Sequence, residues 1–260
     1  MADVNNAAKG RTSSQVPATA RDVTPVAKLS PRERGIATRR RIAEAAYRLF
    51  SEQGYAATTM ESIGQVAGVA VQTVYFTFHT KADVLIEALT IAGGAPGEAR
   101  QVIARDWFRE VLQTPGGPRR LALICEHGTD IYRRLAPILH AVSAAASVDP
   151  DVDEAWRGLV NARRNGMRQV VGAMAEHGEL RPGVDELLAA DLLFGLQRPE
   201  LFLAFTVECG WSAEAFKAWI YATLCHQLLP AEVARAALAP RSPATKGLTF
   251  EATLRALPVA

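Results

Sequence analysis

Residues 59–78 read TMESIGQVAGVAVQTVYFTF, from Thr59 to Phe78. The stretch predicts a helix over Thr59–Val66, a turn at Val66-Ala67-Gly68-Val69-Ala70 and a second helix over Val71–Phe76. Small residues in the turn let two helices cross closely. Gly68 can take the positive φ that a reversal of the chain needs. Thr58 and Glu61 stand at capping-box spacing ahead of the first helix. Ile63, Val66, Val69, Val74 and Phe78 would close a small core beneath the pair. This pattern is that of a helix-turn-helix, in which the second helix enters the DNA major groove.

That second helix holds no Lys or Arg. Its outward candidates are Val71, Gln72, Thr73, Tyr75 and Phe76. Gln pairs bidentately with adenine, and Thr or Val methyls touch the thymine methyl. Cations flank it: Arg39, Arg40 and Arg41 at the expected start of a preceding helix, and Lys81 at the head of a following one. The division suits phosphate contacts that position and uncharged side chains that read. The helix starts at Thr59 and Lys81 would also turn backbone N–H groups outward.

Upstream, Ile42, Ala45, Ala46, Leu49 and Phe50 share one helical face, and Gly54 is a natural stop. Downstream, Thr80 and Asp83 open a helix over Lys81–Ile91. Helical patterns then continue between breaks at 93–97, 114–118, Pro137, 149–150, 178–183 and Gly210. Two apolar stripes stand out: Trp156, Leu159, Val160, Met167, Val170 and Met174, and a second from Phe216 to Leu228. Arg198-Pro199-Glu200 should kink or break a helix between Leu187 and Val207. With no alternating strand pattern, the expected fold class is all-α. The expected domains are a disordered arm over 1–30, a helix-turn-helix domain over 31–92, a larger helical domain over 98–229 and a Pro/Ala-rich tail over 230–260. A short helix near Phe250–Ala256 would sit in that tail.

Composition narrows the function classes. The 260 residues are 49% hydrophobic and 22% charged, which fits a globular chain of one or two domains. Three scattered cysteines, Cys125, Cys209 and Cys225, make neither a disulfide framework nor a zinc site and point to a reducing, cytoplasmic setting. The net charge is only +2, yet basic residues crowd the first fifty positions and the remainder is net acidic. Such asymmetry suits a polyanionic partner at the N-terminal end, or simply a solvated basic tail. No signal peptide or membrane-spanning run is apparent in residues 1–260. No GxSxG, HExxH, P-loop or GxGxxG sequence occurs, and the five histidines lack metal-ligand spacing. No catalytic residue, metal or cofactor is therefore expected. A constitutive or architectural DNA-binding protein without an effector, and a helical enzyme, remain as alternatives.

The ordered run Arg41-Ile42-Ala43-Glu44-Ala45-Ala46, Leu49-Phe50, Gly54-Tyr55, Thr58-Thr59, Ile63-Gly64, Ala67-Gly68-Val69, Thr73-Val74-Tyr75, Phe78, Lys81 and Leu85 resembles the N-terminal domain of TetR-type transcriptional regulators. The resemblance covers roughly residues 35–90. It implies a three-helix DNA-binding unit followed by a divergent helical domain that dimerises and binds a small molecule. Residue by residue, it implies phosphate contacts at Thr59, Tyr75 and Lys81, and base or backbone contacts at Gln72 and Thr73. Two positions depart from the pattern. Ala70 stands where the family often has a capping Ser, a loss of about 1 kcal/mol. His79 stands where Pro or a small residue is usual; it either touches phosphate or merely sits at the turn.

The resemblance also implies an effector pocket in the larger domain. Trp107, Phe108, Tyr132, Trp156, Met167, Met174, Phe194 and Phe205 are its apolar candidates, and Glu126, His127, His140, Arg198 and Glu208 its polar ones. The expected partners are a near-palindromic double-stranded operator, an effector of unknown identity and a second copy of the chain, with no membrane. Helices over Val184–Val207 and Ser212–Leu229 are the dimerisation candidates. The expected protein is a cytoplasmic, nucleoid-associated repressor that its effector releases from DNA.

Overall fold

The computed structural model describes residues 30–94, 106–239, 243–246 and Thr253. The arm expected over 1–30 lies outside these residues but for Ser30, and so does the helix expected over Phe250–Ala256 but for Thr253. The fold is all-α, with no strand among the described residues.

The first helix, α1 (Pro31–Ala57), begins about two turns before the Arg39–Arg41 run. The reason is local. Ser30 accepts the Glu33 amide at 3.3 Å, the Glu33 carboxylate accepts the Ser30 amide at 2.7 Å, and Pro31 fills the first helical position. The three arginines are therefore mid-helix rather than at its start. Gly54, at φ 80°, kinks the last turn rather than ending the helix.

Helices α2 (Met60–Ala67) and α3 (Val71–Thr77) flank Gly68, which is left-handed at φ 65°. The capping box belongs to Thr59 and Ser62, one residue later than the Thr58–Glu61 spacing suggests. Thr58 is instead buried, its hydroxyl donating to the Gly54 carbonyl at 2.8 Å. Gly64 explains the close crossing. A Cβ there would lie 3.1 Å from the Val69 carbonyl oxygen and 3.3 Å from Val74 Cγ2. Ala70 precedes α3 without a side-chain cap. Helix α4 (Lys81–Ala92) opens on the Thr80–Asp83 box.

Then follow α5 (Asp106–Gln113), α6 (Gly117–Ala146), α7 (Pro150–Glu176) and α8 (Glu186–Leu196). Next come α9 (Pro199–Leu203), with a π turn over Ala204–Glu208, and α10 (Ala213–Leu228). The expected break at Arg198-Pro199 is present: α8 stops at Leu196 and α9 starts on the proline. The expected break at Pro137 is not, because α6 runs straight through it. Pro137 and Arg133, whose carbonyl loses its donor, both lie on an exposed stretch where water can replace the bond. On the buried side Ile138, Leu139, Ala141 and Val142 hold the helix in place.

The stretch from 230 is not wholly tail. Helix α11 (Ala231–Leu238) buries Ala234, Ala237 and Leu238 against the larger core, and Thr245 is buried in a short 3-10 turn.

Two apolar clusters organise the chain. The larger holds Phe108, Met174, Phe216, Tyr221 and Leu224. The smaller unites the head, through Ile42, Phe50, Ile63, Val74, Phe78 and Leu85, with Ile138, Ala141, Val142 and Ala145 of α6 and Val152 of α7. Polar ties reinforce that join. Tyr47 donates to the Arg134 carbonyl at 2.8 Å, and Tyr55 donates to Asp149 at 2.7 Å. The head therefore shares its core with the larger domain.

Candidate nucleic-acid interface and effector cavity

The outward face of α3 carries Gln72, Tyr75 and Phe76, with Val66 of α2 and His79 beside it. Phe76 is 87% exposed and Tyr75 47%. Val74 faces inward and is fully buried. Val71 and Thr73 are half-buried at the flank, and Thr59 is exposed at the head of α2.

The cations are arranged differently from the expectation. Arg39 donates to Glu87 at 2.8 Å and to the Thr77 carbonyl at 3.3 Å, and its guanidinium lies 4.3 Å from the centre of the Phe78 ring. Glu87 is buried, and Arg39 is its ion-pair partner. Arg40 pairs with Glu44 at 2.7 Å on the open side of α1. Lys81 donates to the carbonyls of Tyr55 at 2.9 Å and Thr58 at 3.1 Å, over the Tyr55 ring. Arg39 and Lys81 thus fasten α1, α3 and α4 together. Among the described residues, Arg32, Arg34, Arg41 and Arg48 are exposed and make no ion pair.

This distinction has a measurable result. Lys81→Met should lower head stability by about 1.5–3 kcal/mol, the scale of hydrogen bonds from a charged group. The slope of DNA affinity against salt should stay unchanged. A slope reduced by about one, with stability intact, would mean that Lys81 grips phosphate.

A cavity of about 130 Å³ lies between α4, α6 and α7, closed by α5 and by the α8–α9 break. Of the expected effector residues, Trp107, Tyr132, Trp156 and Met167 line it. The others do not. Phe108 and Met174 are fully buried in the core, and Glu126 pairs with Lys217 at 2.9 Å. Arg198 chelates Glu200 at 3.1 Å on the surface, and Phe194 lies beneath the Arg163 guanidinium at 4.7 Å. The wall also contains residues that the sequence reading passed over: Leu89, Thr90 and Gly93 from the end of α4, with Arg163 and Gln197. The Tyr132 hydroxyl donates to the Gln197 carbonyl at 2.5 Å, and burial pushes the phenol up to about 12.

His127 stacks on Trp107 at 5.0 Å, and burial holds its imidazole below the ordinary value despite nearby Glu110, Asp130 and Glu126. Below about pH 6.5 the unfolded chain takes up this proton before the folded one does. Stability should therefore fall as pH drops from 7 through that folded value. His127→Gln should flatten this part of the curve in urea melts at pH 5–7; an unchanged curve would assign it to other groups.

The chain matches the profile of bacterial regulatory proteins of the tetR family over residues 42–88. It matches that of the tetracyclin repressor-like C-terminal domain over residues 119–206. Together these span more than half of the chain. The protein belongs to the TetR family of transcriptional regulators. The HTH-type transcriptional regulator YdeS of Bacillus subtilis is 25% identical over 170 residues, 64% of this chain and 77% of YdeS. Two solved structures share the fold of this TetR-family chain. SmeT of Stenotrophomonas maltophilia in complex with triclosan has TM-score 0.60 and 20% identity, over 76% of this chain and 94% of SmeT. FadR of B. subtilis in complex with stearoyl-CoA has TM-score 0.56 and 20% identity, over 71% of this chain and 96% of FadR. Among the described residues of this TetR-family regulator, no helix is long and apolar enough to cross a membrane, and no cluster of His, Cys, Asp and Glu could hold a metal.

Proposed function

We propose that this regulator is a homodimeric repressor that a small molecule releases from a near-palindromic operator. One observation supports the switch above others: Leu89 belongs both to the head's apolar cluster and to the cavity wall. A molecule that fills the cavity presses on the last turn of α4, whose earlier residues Val84, Leu85 and Ala88 carry the recognition unit. A coupling of about 1–3 kcal/mol changes DNA affinity 5–150-fold.

Gln72, Tyr75 and Phe76 read or buttress the groove, flanked by Val71, Thr73, Thr59 and His79. Exposed Arg32, Arg34, Arg41 and Arg48 supply positive charge for phosphates. The apolar side chains of Leu187 and Leu188, 60% and 48% exposed on α8, favour that helix with α10 as the dimer face. Two copies then present one α3 to each half-site. The triclosan on SmeT and the stearoyl-CoA on FadR favour an effector for this chain too.

The test is fluorescence anisotropy with DNA fragments flanking the protein's own gene, at several salt concentrations. Selective binding is expected, with Gln72→Ala relaxing preference at one base pair by about 1–3 kcal/mol. Equal affinity for every fragment would overturn the reading, as would a monomer in sedimentation.

A further inference from the structure

The cavity's charge balance defines what it takes in; this rests on the effector reading above. Arg163 lines the cavity from α7. Its Nε is buried and makes no hydrogen bond among the described residues. No carboxylate among those residues forms an ion pair with it, and its guanidinium lies over the face of Phe194. The charges around it are already spent. Glu200 is chelated by Arg198, and Glu126 is held by Lys217. Burial holds the imidazole of His127, stacked on the lining Trp107, below its ordinary value. The Tyr132 hydroxyl donates its hydrogen bond to the Gln197 carbonyl.

Burial also pulls the Arg163 guanidinium below its ordinary value, by more than the neighbouring Tyr132 and Glu200 offset. A planar fork of N–H donors in apolar surroundings matches a carboxylate or a similar oxyanion. The rest of the wall, with Trp107, Ile131, Trp156 and Met167, is apolar and partly flat.

We infer that the effector is an amphipathic organic anion, its carboxylate or equivalent oxyanion set on Arg163 and its aliphatic or aromatic body against the two tryptophans. A cation is rejected by the same guanidinium, and a neutral molecule leaves it unpaired.

The experiment titrates the full chain at pH 7.5 by calorimetry and thermal shift with two matched sets. One is octanoate, 1-octanol and octylamine; the other is 3-phenylpropanoate, 3-phenylpropan-1-ol and 3-phenylpropylamine. The carboxylates should bind at least about tenfold tighter than the alcohols, with the amines weakest. Arg163→Gln should erase the difference between acid and alcohol while alcohol binding stays within about twofold; Arg163→Lys should keep part of it. Alcohols or amines binding as well as the acids would overturn the inference and leave the effector reading standing. So would an acid preference that persists in Arg163→Gln. No binding by any of the six would overturn both.

Discussion

Lys217→Met is expected to cost the fold about 3–5 kcal/mol, because it removes a fully buried cation that is paired with two partly buried carboxylates. Lys217 is fully buried on α10, with its Nζ 2.9 Å from Glu126 and 3.0 Å from Glu214. Arg133 also reaches Glu214, at 2.5 Å. Burial alone would push the Glu214 carboxyl up; hydrogen bonds from Lys217 and Arg133 outweigh it and hold the group below its ordinary value. Its contribution to stability is therefore present above the ordinary carboxylate pKa and lost as pH falls through the lowered one. The measurement is urea denaturation at pH 7 followed by circular dichroism. A second variant, Lys217→Met with Glu126→Gln, removes one stranded charge and should regain part of the loss. A loss under about 1 kcal/mol in the single variant would show that the carboxylates find other partners.

Phe50→Ala should cost a comparable amount, about 3–5 kcal/mol, through lost burial and the cavity left behind. Phe50 is 1% exposed at the centre of the head cluster and stacks on Tyr55 at 5.8 Å. Trp156, packed against that same cluster from α7, gives an optical reporter. In a variant with Trp107, Trp211 and Trp219 replaced by Phe, its fluorescence and the helical signal should move together in urea, because the cluster spans both parts of the chain. Two separated transitions would mean that the head melts by itself.

The helix-turn-helix was legible because its signals are local. Gly68 and the Thr80–Asp83 box act through neighbours three or four positions away, so spacing alone reveals them. The start of α1 carried an equally local signal in Ser30-Pro31-Arg32-Glu33, which the Arg-rich run that follows overshadowed. Pro137 was misread because the cost of a missing amide depends on whether the orphaned carbonyl meets water, and that is set by the fold. The hydrogen bonds of Arg39 and Lys81 were hidden for a related reason. Their partners Glu87 and Tyr55 lie far off in sequence, and a cation near a recognition helix looks the same whether it faces phosphate or carbonyl. The cavity was half legible. Aromatic and Met residues mark apolar surface, but Arg163 and the end of α4 become lining only once α4, α6 and α7 pack.

The shared cluster limits how regulators of this build can be recombined. A chimera cut after Ala92 would transplant Phe50 and Leu85 onto a foreign scaffold and strip Ile138 and Val142 of their covering. A workable graft must carry the C-terminal half of α6 and the first turn of α7 along with the DNA-reading helices. The unit that can be exchanged is thus bounded by a packed surface rather than by a position along the chain.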